Sequence, residues 1–131
     1  MSEFYFAISK QQAVKEIQDW FSSLFPYLKI NFYARGNMGS GAQGSNIILF
    51  APEVRLKNIN PNLMDHTLII RESSTVSALE KFFCEKLGLA VQILRKSGNL
   101  WLDTARTNAW TLQEQNSHGQ ELSPQKSNKT G

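Results

Sequence analysis

The sequence holds one cysteine, Cys84, which excludes an intrachain disulfide and a zinc ribbon. It holds two histidines, His66 and His118, and with Cys84 they show no metal-ligand spacing. His66 is read as the start of a strand, His118 as solvated, and Cys84 as an inert thiol packed beside the buried stripe of its helix. Long apolar runs are missing too. The stretch from Ile47 to Ala51 is among the longest, far short of the roughly 20 residues a membrane helix needs. The opening Met-Ser-Glu-Phe-Tyr-Phe lacks the basic region and small-residue cleavage site of a secretory signal, so with one thiol a cytoplasmic setting is expected. No pair of side chains satisfies a catalytic geometry on paper. No catalytic, metal-binding or cofactor-binding residue is therefore assigned, and the chain is read as non-enzymatic.

What is present suffices for a core. Of 131 residues, 41% are hydrophobic and 19% charged, a balance that argues against a disordered chain. The reading is one α+β domain over residues 1–116, followed by a disordered polar tail over 117–131 that contains a single leucine and no aromatic. The formal charge is +3, and the excess lies between Tyr27 and Arg106, where ten Lys or Arg face six Asp or Glu.

Val14, Ile17, Phe21 and Leu24 recur at helical spacing and predict a helix from about Lys10 to Leu24, capped by Ser9 with Gln12. Leu28 to Arg35 alternates cleanly and predicts a half-buried strand. Asn46 to Ala51, with Ile-Ile-Leu-Phe in its middle, predicts a more fully buried strand across a glycine loop from Gly36 to Ser45, and Val54 to Lys57 a short edge segment. The loop has no lysine and no following helix, so it is read as a hairpin connection and not a phosphate cradle. A strand over Thr67 to Glu72 leads to a helix from Val76 to Leu87, capped by Thr75 and closed by Gly88 and Leu89. Ala90 to Arg95 and Asn99 to Thr104 form a hairpin, and Trp110 to Leu112 open a last turn ending near Asn116. Helix followed by hairpin occurs twice, without a sequence repeat. The economical fold is α+β, with a mixed or antiparallel sheet of about five strands and two helices on one face.

The stretch from Thr75 to Asn116 resembles the middle of the ubiquitin-like β-grasp fold. Thr75-Val76 with Leu79 opens the helix, Leu87-Gly88-Leu89 closes it, and Ser97-Gly98-Asn99 and Thr111-Leu112 to Asn116 follow. The segments Arg95 to Leu102 and Trp110 to Leu112 are also similar to small uncharacterised bacterial proteins. The first resemblance implies a β-grasp-like arrangement in the second half, and the second implies no activity.

Two functional readings follow. In the first, the chain is a non-catalytic module binding a protein partner or itself through surplus aromatics, Phe82, Trp101 and Trp110. In the alternative, Lys29, Tyr33, Arg35, Arg55, Lys57, Arg95 and Lys96 bind nucleic acid or another polyanion through a basic sheet face, as single-strand binders combine charge with stacking platforms. Neither reading involves a membrane.

Overall fold

The structure is a computed structural model that describes residues 2–36 and 46–123. It is α+β, with six strands in two antiparallel sheets and three helices among the described residues, where the sequence suggested five strands and two helices. In chain order the elements are β1 (Glu3–Ile8), α1 (Val14–Leu24), β2 (Leu28–Gly36), β3 (Asn46–Leu49), β4 (His66–Arg71), α2 (Val76–Leu87), β5 (Ala90–Ser97), β6 (Leu100–Asp103) and α3 (Leu112–Leu122). Single 3₁₀ turns stand at Leu56–Asn58 and Ala105–Thr107. β1 and β4 form a two-stranded ribbon, and the larger sheet has the order β3-β2-β5-β6. No helix among the described residues is long and apolar enough to cross a membrane.

The larger sheet is centred on β2 and β5, whose register sets Ile30 opposite Ile93 and Phe32 opposite Val91. These side chains are buried, with Leu28, on the face that meets the helices. Burying that apolar face fixes the register, because a slip of one residue would turn every one of them to water. α2 supplies Val76, Leu79, Phe83 and Leu87, and α1 supplies Val14, Ile17 and Phe21. The ribbon lies against the same helices: Phe6 stacks on Trp20 at 4.8 Å, and His66 meets Phe82 edge-on at 5.4 Å. Both helices therefore touch apolar neighbours in two directions, Phe83 reaching Phe32 of the sheet while Phe82 reaches the ribbon.

The ends of α2 follow local chemistry. Thr75 Oγ1 accepts the Ala78 N–H at 3.1 Å, and Gly88 takes a left-handed conformation, φ 64°, as a Schellman-type end requires. α1 starts later than the spacing suggested, at Val14. Ser9 and Gln12 instead shape the turn after β1, where Gln12 Oε1 accepts the Ser9 N–H, and Glu16 accepts the N–H of Ala13 at the helix start. The edge segment expected at Val54 to Lys57 is an isolated bridge between Arg55 and Ala13 running into a 3₁₀ turn. Cys84 is exposed and not packed, since it falls one position beyond the buried Phe83.

The expectation of a loose tail from Ser117 is corrected by α3, which runs to Leu122. Thr111 and Glu114 form a capping box, each side chain bonding the other's backbone N–H. Asn116 Oδ1 accepts the Tyr27 N–H at 2.8 Å, and Gly98 N–H donates to Leu122 O and Ser123 Oγ, so the helix is tied to the sheet at both its middle and its end. Residues 124–131 of the expected tail and 37–45 of the glycine loop lie outside the described residues.

At Gly119, α3 passes close to Tyr27, just before β2, and to Arg95 of β5. A Cβ there would stand 2.9 Å from Tyr27 Cβ, 3.1 Å from Arg95 Cγ and 3.2 Å from the Tyr27 carbonyl oxygen. Alanine normally favours a helix over glycine by about 1 kcal/mol. Here the clash with backbone overrides that preference, and Gly119→Ala is expected to lower stability by about 1–3 kcal/mol in urea unfolding.

Candidate interaction surface

The side chains of β2 alternate. Leu28, Ile30 and Phe32 point to the helices, and Lys29, Asn31, Tyr33 and Arg35 point to the opposite face. Direct pairing extends this second face across the sheet. It collects Gln92, Leu94 and Lys96 of β5, Trp101 and Asp103 of β6, and Ile47 and Leu49 of β3. Trp101 stands opposite Lys96, and Lys29 Nζ lies 5.5 Å from the centre of its ring. Arg35 lies at the same distance from the ring of Tyr33. Lys29, Arg35 and Lys96 form no ion pair among the described residues, whose salt bridges are Lys15–Asp19, Glu3–Arg71 and His118–Glu121.

Both outer strands of this sheet expose large apolar side chains on both of their faces. On β6, Leu100 is 64% exposed, Trp101 38% and Leu102 40%; on β3, Ile47, Ile48 and Leu49 are all exposed. Edge strands of soluble proteins are usually blunted by lysine, proline or a bulge, because their unpaired backbone groups template further pairing. β6 has only Asp103, at its end, and β3 has no charged residue. The hydrophobicity of β6 is thus concentrated where a further strand would lie.

The aromatic set expected to bind a partner does not converge. Trp101 is on the free face. Phe82 is half-buried between His66 and Phe83, because the β1–β4 ribbon covers the side of α2 that a single sheet would leave bare. Trp110, just before α3, is half-buried with His118 edge-on at 5.3 Å on one side and the Arg95 guanidinium at 5.6 Å on another. His118 is therefore packed against a ring and not simply solvated.

The basic set also divides. Lys29, Tyr33, Arg35 and Lys96 share the free face. Arg95 does not: it pairs with Leu28 and Leu102 on the helix side, and its guanidinium donates to Gln115 Oε1 at 2.8 Å. Arg55 and Lys57 lie off the sheet beside the start of α1, where the Arg55 guanidinium donates to the Gln11 carbonyl and the Lys57 N–H to the Lys10 carbonyl. Parity along β5 carries the signal for Arg95, since it stands two residues from the buried Ile93.

Beside this face is a depression of about 190 Å³ whose lining includes Arg35, Glu80, Gln92, Asp103 and Asn108. Its two carboxylates already serve the backbone. Glu80 accepts the Ile93 N–H at 3.2 Å, and Asp103 accepts the Ala105 N–H at 2.8 Å. Burial pushes the Glu80 carboxyl above its ordinary value of 4.5, the Asp103 charge adds to the rise, and the Ile93 N–H offsets part of it. The folded protein then binds this proton more tightly than the unfolded chain does. This group's effect on stability is absent below its ordinary value, grows as a penalty while pH rises from there to the raised value, and is constant above it. Glu80→Gln keeps the acceptor for Ile93. It is expected to raise the melting temperature at neutral pH, with the gain vanishing in acid.

No group of three or more His, Cys, Asp or Glu placed to hold a metal ion occurs among the described residues. No protein family, curated protein or solved structure matches the chain.

Proposed function

We propose that this protein is a non-catalytic interaction module that takes an extended segment of a protein partner along β6. The observation that supports this is an edge strand, Leu100-Trp101-Leu102, exposed and apolar on both faces, beside the cations Lys29 and Lys96. Strand addition would satisfy the outer backbone groups of β6 and give affinity through main-chain hydrogen bonds, with side chains setting preference. A segment of alternating acidic and aliphatic residues fits best. Its carboxylates would share the free face with Lys96 and Lys29, and its aliphatic side chains would lie along Leu100 and Leu102. The rival reading, a single-stranded nucleic acid on the free face, is favoured by the placing of Lys29 over Trp101 and Arg35 over Tyr33.

A fluorescein-labelled peptide of alternating glutamate and isoleucine, followed by anisotropy, tests the proposal against a labelled oligothymidine at low salt. The peptide is expected to bind, and Trp101→Glu, which removes the aromatic and sets a like charge among the peptide's carboxylates, to weaken it by about tenfold or more. Binding of the oligonucleotide but not of the peptide would overturn the proposal in favour of its rival.

A further inference from the structure

We infer that the chain is an internal duplication of one strand–helix–hairpin unit, and that β3 is a second strand-addition site equivalent to the one on β6. The second site rests on the reading of β6 given above; the duplication does not. The first unit is β1-α1-β2-β3 with its 3₁₀ turn, and the second is β4-α2-β5-β6 with α3.

The two units repeat each other bond by bond. At the start of α1, Val14 N–H donates to Val54 O and Lys15 N–H to Pro52 O; at the start of α2, Val76 N–H donates to Trp110 O and Ser77 N–H to Asn108 O. In return Leu56 N–H donates to Gln12 O in the first unit, and Leu112 N–H to Ser74 O in the second. The isolated bridges Ala13–Arg55 and Thr75–Thr111 occupy the same place. The packing repeats as well. Val14, Ile17 and Phe21 are buried as Val76, Leu79 and Phe83 are, and Trp20 and Phe82 both lean on the ribbon. Pairing is antiparallel both between β1 and β4 and between β2 and β5, as a local two-fold axis through the sheet centres demands. No sequence repeat announces this, because identities such as Val14 with Val76, Phe21 with Phe83 and Leu56 with Leu112 are scattered among positions that differ in size and polarity.

The same axis exchanges β3 and β6. Arg35 stands opposite Ile47 as Lys96 stands opposite Trp101, so each inner strand sets a cation beside a large apolar side chain of its outer strand. Each outer strand is left through a bond to the same point of the inner one, Phe50 N–H to Phe32 O and Thr104 Oγ1 to Ile93 O.

Two equivalent open edges on opposite sides of one sheet also select the occupant. A second copy of this chain, pairing edge to edge, would always leave a matching edge free and would grow into an open fibre instead of closing as a dimer. A segment of another protein ends the pairing at each edge. Arg35 on one side and Lys96 with Lys29 on the other give both edges the charge that suits an acidic, aliphatic segment.

Native mass spectrometry with the alternating glutamate–isoleucine peptide counts the sites. Two peptides per chain are expected. Ile47→Glu and Trp101→Glu are each expected to leave one, and the double variant none, with unchanged circular dichroism. Should Ile47→Glu fail to fold, Ile48→Glu on the other face of β3 is expected to give the same loss. One peptide per chain, abolished by Trp101→Glu and untouched by the β3 variants, would overturn the second site and leave the first standing. No peptide on the unaltered protein would overturn both, and fibre growth without peptide would make a second copy the occupant.

Discussion

Replacing Phe83 by alanine is expected to cost about 3–5 kcal/mol, the usual loss for a buried phenylalanine. Its side chain is 0% exposed, meets Phe32 edge-on at 5.8 Å and joins α2 to the centre of the larger sheet. Shortening it leaves a cavity that neither a helix nor a paired strand can collapse into without losing hydrogen bonds. Domain stabilities of about 5–15 kcal/mol make this a large fraction of the whole. Chemical denaturation at neutral pH measures it. A loss under about 1 kcal/mol would contradict the helix phase, since that is the scale of surface substitutions. Phe21, its counterpart in α1 and equally buried, is expected to lose a similar amount. Phe82, its half-exposed neighbour, is expected to lose less.

The second large effect is polar. Gln115 is fully buried, and its amide does three things at once. Its oxygen accepts from the Arg95 guanidinium at 2.8 Å, and its nitrogen donates to the carbonyl and the hydroxyl of Thr107 at 2.7 and 2.8 Å. Among the described residues, Arg95 Nε already has no hydrogen-bond partner. Gln115→Leu keeps the bulk and removes every bond, leaving a partly buried cation with still fewer partners. Each buried polar group left unpaired costs about 1–3 kcal/mol, and charged ones more. A total loss of about 2–4 kcal/mol is expected. Trp110, packed between Arg95 and His118, should report it as a change in fluorescence at lower denaturant concentration.

Gln115 also shows why part of this fold was hard to read from the sequence. The strands β2 and β5 and the helix α2 declare themselves, because each buries one face against apolar neighbours and the periodicity records it. α3 carries Gln, Glu, Asn, Ser, His and Gly where a stripe of aliphatics would be looked for. Leu112 aside, it is anchored by a hydrogen-bonded amide and by a glycine that lets two backbones meet, and neither leaves a periodic trace. β1 has a signal, since Phe4, Phe6 and Ile8 alternate with Tyr5 and Ala7, but its partner β4 is distant in sequence and nothing local announces the pairing. Without β1 as its partner, β4 is expected in the single larger sheet and not in a ribbon, so the cover that His66 gives Phe82 is missed and that aromatic is expected at the surface. Parity places Lys29, Tyr33 and Arg35 on one face of β2. Arg55 and Lys57 continue an alternation that ends in an isolated bridge and a 3₁₀ turn off the sheet, and Arg95, though beside the turn near Trp101, lies on the helix side of β5.

The pairing of each first-half strand with one in the second half has a consequence for synthesis. When Ile8 leaves the ribosome, the strand it must join, ending at Arg71, lies roughly sixty residues further along. At translation rates of about 5–20 residues per second, β1 waits about 3–13 s for its mate, and β2 as long for β5. Throughout that interval the nascent half-chain presents Phe4, Phe6, Ile30 and Phe32 with no second unit to cover them. Neither sheet can close until the second unit emerges, so a chaperone that shields apolar strands is needed from the emergence of β2 until β5 has followed it.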